Sequence, residues 1–254
     1  MQLTLEHLSF YLDQCENKRL SHHTIKAYRI DLKQFYVFMI HKDMNKKEIS
    51  CYIHYLNEHF KLKTVKRKLA SLLAFFEEMV FQEVFQENPM DKIRYRIQEE
   101  KKLPRIIRYH QLQHIFSQLN QQHHAFKKRD RAVIELLMST GIRVCELCAI
   151  KHEDLYLEDK YLIIYGKNAK ERVIFLGEDV YQALKEYQEA FYDQMMQQDY
   201  FFINNQYHRL TEQSVRYMIK KYSEGFHITP HMFRHTFATM LLEQDVDITY
   251  IQKI

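Results

Sequence analysis

Four glycines and three prolines in 254 residues leave this chain almost without backbone punctuation. These are the residues that most often stop a helix or turn a strand, so a chain so poor in them must put its length into long helices joined by short turns. The apolar spacing agrees. Leu5, Leu8, Leu12 and Cys15 step by three and four, and after a break at Asn17 to Leu20, Ser21 is placed to cap a second helix carrying Ile25, Tyr28, Leu32, Phe35 and Met39 on one stripe. A third helix carries Ile49, Tyr52, Ile53, Leu56 and Phe60. A fourth runs from about Thr64 with Val65, Leu69, Leu72, Leu73, Phe76 and Val80, and sets Lys63, Lys66, Arg67 and Lys68 on its opposite face. Four amphipathic helices make a small bundle. Asn88-Pro89 stops the helical pattern, and a charged stretch then extends to Leu103-Pro104. The expected organisation is a helical domain over 1–87, a linker over 88–104 and a second domain over 105–254.

In the second domain the spacing predicts helices at Tyr109 to Leu119 and Asp130 to Ser139. Gly141 suits the left-handed position that ends the latter, and Arg143 stands at the entry of the next helix, Val144 to Ile150. Tyr161 to Tyr165 and Arg172 to Leu176 are short runs rich in β-branched and aromatic residues, joined by a polar turn that carries Lys167, and they read as a β-hairpin. Glu178 to Met196 reads as a long helix, Tyr200 to Ile203 as a possible third strand, and Thr211 as the cap of a helix ending before Gly225. Thr229-Pro230 opens another helix, since proline's missing N–H is one of the donors a helix start leaves unpaired anyway. Asp247 caps a last one. The fold class is therefore mainly α with a small β-sheet in the C-terminal domain.

His231 and Arg234 share a face of the first turns of the helix opened by Pro230, with the positive end of the helix dipole behind them. That is a site for an anion: a phosphate there meets a guanidinium fork and an imidazole able to move a proton near neutral pH. Basic residues cluster from Lys61 to Lys68 and again at Lys92, Arg94, Arg96, Lys101, Lys102, Arg105 and Arg108, a distribution suited to nucleic acid although the net charge is only +4. Each cluster taken alone also suits a solvated surface. No metal is expected. His231 and His235 have the i, i+4 spacing of a zinc-protease helix, but Met232 stands where its general-base Glu belongs, and Cys145-Glu146-Leu147-Cys148 is a lone pair of cysteines in a helix, read as core. The cysteines are expected reduced, and without a long apolar run or a signal peptide the expected location is cytoplasmic, with no membrane partner.

Three blocks in succession, Thr140-Gly141-Ile142-Arg143-Val144-Cys145-Glu146-Leu147, Gly166-Lys167-Asn168-Ala169-Lys170-Glu171-Arg172 and His231-Met232-Phe233-Arg234-His235-Thr236-Phe237-Ala238-Thr239, resemble the signature blocks of the tyrosine recombinase (phage integrase, Xer-like) family. Leu20 to Leu32 resembles its SAM-like core-binding domain. The resemblance implies a clamp around duplex DNA and cleavage without a cofactor: a tyrosine attacks the scissile phosphate, forms a 3′-phosphotyrosyl link and frees a 5′-hydroxyl. It implies that Arg143 and Arg234 hold the non-bridging oxygens, that His231 handles the nucleophile's proton, and that Lys167 protonates the leaving oxygen. A tetramer on a specific recombination site is the implied assembly. The turn reads Gly-Lys-Asn where the family often has Gly-Lys-Gly, and asparagine tolerates left-handed backbone best after glycine.

The family's fourth block, a Leu-Gly-His segment followed by the nucleophilic tyrosine, would begin where this sequence stops, so no residue of the chain is assigned as nucleophile; Tyr250 precedes that block. Two readings stay open: a recombinase lacking its nucleophile segment, and a non-cleaving DNA-binding relative that occupies recombination sites. A type IB topoisomerase shares the chemistry, but the core-binding resemblance argues against it.

Overall fold

The computed structural model describes residues 2–91, 93, 103–166 and 171–251. They fall into two compact units, Met1–Lys101 and Lys102–Ile254. Most of the stretch 88–104 read as a linker, with its basic residues up to Lys102, lies outside the described residues, as does Lys167.

The first unit is built from helices α1 (Leu5–Asn17), α2 (His22–Met39), α3 (Lys46–His59) and α4 (Leu62–Phe81). Each of the first three starts on a side chain that satisfies a backbone N–H left over by the helix: Thr4 accepts from His7, Ser21 from Thr24 and Asn45 from Glu48. Such caps stabilise a helix by about 1 kcal/mol each. The stripes then meet in one core around Leu32, Phe35, Tyr52, Leu56, Phe75 and Phe76, with Phe35 edge-on to Phe76 and 4.9 Å from the Tyr52 ring.

One expectation fails in α4. Lys68 is not on the outer face; it is 4% exposed, and its Nζ donates to Asp31 Oδ1 at 2.9 Å. Asp31, itself buried, also accepts from Ser71 Oγ at 2.8 Å and from Arg67. Lys68 lies three residues after Val65 and next to Leu69, inside the buried arc, and a carboxylate from α2 makes its burial tolerable.

The second unit is organised on α6 (Lys127–Thr140), in which most residues from Arg129 to Leu137 are buried. Around it pack α5 (Tyr109–Gln121), α8 (Glu178–Met195), α9 (Glu212–Tyr222) and α10 (Pro230–Glu243). Two short helices, α7 (Val144–Leu147) and α11 (Ile248–Ile251), lie after α6 and α10. The helix expected to reach Ile150 thus stops at Leu147. Thr229 takes the extended conformation of an N-cap before Pro230, but its side chain makes no capping bond.

The sheet is antiparallel in the order β1 (Leu155–Tyr156), β2 (Tyr161–Tyr165), β3 (Glu171–Phe175). Its third strand is therefore not Tyr200 to Ile203, which makes only isolated bridges, Lys151 with Tyr200 and Ile203 with Arg209. The register pairs Leu162 with Ile174 and Ile164 with Arg172, so these four share one face of the sheet. Leu162 and Ile164 are buried there, while Val173 and Phe175 on the other face are exposed. Among the described residues no helix is long and apolar enough to cross a membrane.

Candidate active site

Gly141 ends α6 with φ +60°, and an added Cβ there would stand 2.5 Å from the Phe237 ring of α10. The left-handed turn and the close approach both require glycine. It also brings two arginines toward one place. Arg143 follows two residues later as the N-cap of α7, and the Gly141 carbonyl accepts a 2.8 Å hydrogen bond from Arg234 Nη1 of α10.

Arg143 is half-exposed, and its Nη1 donates to Glu146 Oε1 at 2.9 Å while its backbone N–H donates to Glu146 Oε2 at 2.9 Å. A second guanidinium reaches the same carboxylate: Arg172 Nη2 donates to Oε2 at 2.6 Å and Nη1 to Oε1 at 3.3 Å. Burial pushes the Glu146 carboxyl up, but the hydrogen bonds from Arg172 and Arg143 outweigh it and hold the group below its ordinary value. Arg234 moves down because burial disfavours its charge and because Arg143 and Arg172 repel it.

A cleft of about 800 Å³ opens in front of this cluster. Arg143, His231 and Arg234 line it together, as do Arg216 and Lys220 from α9 and His227 from the loop before α10; among the described residues no carboxylate lines it. His231 is on the first turn of α10, its ring edge-on to that of His235 with centroids 4.3 Å apart. With its N-terminal turn, imidazole and two fixed guanidinium forks, the cleft is shaped to take a phosphate and to stabilise charge gathering on it. Lys167, the fourth residue expected here, falls outside the described residues. The Cys145/Cys148 pair is core only in part: Cys148 is buried, its thiol pushed up to about 12 by that burial, whereas Cys145 is exposed.

A model of the phage integrase family matches residues 105–254, and a model of the phage integrase N-terminal SAM-like domain matches residues 8–85. The chain belongs to the phage integrase family. A tyrosine recombinase of Agathobacter rectalis is 43% identical over 98% of this chain and 87% of that protein. The tyrosine recombinase XerC of Staphylococcus saprophyticus is 34% identical over 93% of this chain and 83% of its own length. The crystal structure of a lambda integrase(75-356) dimer bound to a COC' core site has the same fold, with a TM-score of 0.78 at 18% identity over 99% of this chain and 94% of that one.

For this family member, sequence reasoning missed two kinds of residue. Glu146 was legible as the position three after an N-cap, where a carboxylate can reach back to the first N–H. Arg172 stood in a quoted block without a role, because its partner lies 26 residues away on another element. Arg216, Lys220 and His227 carried no signal of their own; only the packing of α9 beside α10 puts them on the cleft.

Proposed function

We propose that the chain binds duplex DNA and presents one phosphodiester to this cleft for site-specific recombination by transesterification, through a 3′-phosphotyrosyl intermediate. Arg143 and Arg234 grip the two non-bridging oxygens and stabilise the charge that builds on them as the nucleophile approaches. His231 takes or returns the nucleophile's proton, and Lys167 delivers one to the leaving 5′-oxygen. The energy of the broken bond stays in the phosphotyrosyl link, so no cofactor is required. The observation that carries this reading is the meeting of Arg143, His231 and Arg234 on one cleft, with no carboxylate in its lining among the described residues. Family membership and the DNA-bound lambda integrase relative support it. The helical unit 1–87 serves as the core-binding domain on the DNA, and copies assemble as a tetramer on the paired sites.

Among the described residues no tyrosine lines the cleft, which favours a second reading for these 254 residues by themselves: they occupy a recombination site without cutting it. A nucleophile held in line is worth effective molarities of about 10⁵ M or more over one that merely diffuses nearby, so tyrosines elsewhere on the surface do not substitute. The test is a nicked suicide duplex incubated with the chain and run on a denaturing gel. Binding without protein-linked DNA is expected from the 254 residues, and an adduct from a version extended past Ile254 by a Leu-Gly-His block and a following tyrosine. Arg143→Ala or Arg234→Ala in the extended version should abolish the adduct while leaving DNA binding largely intact. An adduct formed by the 254-residue chain would overturn the second reading; an extended version that binds and never cuts would overturn the first.

A further inference from the structure

Glu146 sits behind the cleft and not on it, and both of its oxygens are shared between two arginines. Its side chain is 6% exposed, that of Arg172 19% and that of Arg143 51%. The three residues thus run from the interior outward: carboxylate, inner guanidinium, outer guanidinium. Arg172 is on the inward face of β3, paired with Ile164, and does not line the cleft. Its hydrogen bonds to the site run through Glu146.

Charge balance says what that is. Were Arg143 the sole partner of Glu146, a buried negative charge would be set against one positive charge, and an incoming phosphate would meet a neutral pair. With Arg172 on the same carboxylate the trio carries a net charge of +1, and Arg143 keeps its outer edge toward the cleft. The geometry also demands an arginine. Nη1 and Nη2 of Arg172 each take a different oxygen of Glu146, a two-pronged contact that an ammonium cannot reproduce. Resting on the phosphate-site reading above, we propose that Arg172 is a positioning residue of this cleft: it neutralises Glu146 from behind, so that Arg143 offers a phosphate a charge not already spent on a carboxylate. Because Arg172, five residues after Lys167 in sequence, belongs to β3, the same contact fastens that strand to the first arginine of the site.

Inorganic phosphate is the probe, titrated into the 254-residue chain and followed by the amide signals of residues 142–144 and 231–234. The variants are Arg172→Gln, Arg172→Lys, the double variant Arg172→Gln/Glu146→Gln, and Arg216→Gln as a comparator that removes one cleft cation without touching Glu146. Arg172→Gln should weaken phosphate binding about tenfold and clearly more than Arg216→Gln, because it leaves Glu146 to consume Arg143. Adding Glu146→Gln should then recover about threefold or more, since the uncompensated carboxylate is gone. A merely structural strand anchor gives no such recovery, because the second substitution removes a further contact. Equal losses for Arg172→Gln and Arg216→Gln, or a double variant no better than Arg172→Gln, would overturn the proposal. If Arg172→Gln does not fold, Arg172→Lys decides: it keeps the charge and loses the fork, so a loss of about threefold or more supports the proposal and wild-type affinity overturns it. A wild-type chain that gives no phosphate response at these amides would overturn the phosphate-site reading, and this inference with it. A wild-type response that no Arg172 variant alters sinks the inference alone.

Discussion

At the scale of single residues, Gly141 does more than end a helix. Its positive φ turns the chain so that Arg143 follows on the cleft side, its missing side chain admits the Phe237 ring, and its carbonyl holds Arg234. Gly141→Ala must therefore strain the backbone and displace α10 at once. The expected cost is about 1–3 kcal/mol, read as a lower denaturant midpoint at unchanged slope. Phosphate affinity should fall with it, because the same shift moves Arg234. A variant as stable as the parent would mean that the turn is not under the constraint described. This role was partly legible in the sequence: a glycine at the end of an apolar helix stripe announces a left-handed cap. The clash with Phe237, 96 positions along the chain, was not, since nothing local to either residue encodes the approach.

At the scale of elements, the helices were legible because their period is local. A stripe such as Leu32, Phe35 and Met39 repeats within one helix, and the caps at Ser21 and Thr211 sit beside the backbone donors they satisfy. What failed depends on partners far along the chain. Lys68 reads as a surface lysine until Asp31 is placed against it, and Tyr200 to Ile203 reads as a strand until the two residues Leu155 and Tyr156 take the edge of the sheet. The Asp31 cluster gives a prediction of its own. Asp31→Asn leaves the Lys68 ammonium buried without its counter-charge, and removing one partner of a buried pair costs about 3–5 kcal/mol. Hydrogen exchange at the amides of α2 and α4 should accelerate accordingly. Adding Lys68→Met should restore most of the protection, because the stranded charge is removed and Phe60 and the neighbouring apolar residues accept a methionine. If the double variant exchanges as fast as Asp31→Asn, the loss comes from Arg67 or Ser71 and not from the stranded lysine.

At the scale of the whole molecule, a net charge of +4 says little, and the placement of charge says more. On one unit Arg143, Arg216, Lys220 and Arg234 gather on a cleft with no carboxylate in its lining among the described residues; on the other Lys61 and Lys63 are exposed at the start of α4. Duplex DNA holds condensed counterions that are released when such cations replace them, so affinity must fall as salt rises, in proportion to the number of phosphates neutralised. That number can be counted without knowing the DNA sequence. Arg216 and Lys220, one turn apart on α9, should each contribute close to one unit, so Arg216→Gln/Lys220→Gln should reduce the slope of log affinity against log salt by about two. Fluorescence anisotropy of a labelled duplex between 50 and about 200 mM salt spans the range in which such slopes are resolved. The double substitution lies in α9 and touches neither Gly141 nor Glu146, so the fold and the arginine cluster should persist while binding weakens. An unchanged slope would mean that the cleft does not face the DNA backbone, and the phosphate that Arg143 and Arg234 are arranged to hold would have to come from another kind of molecule.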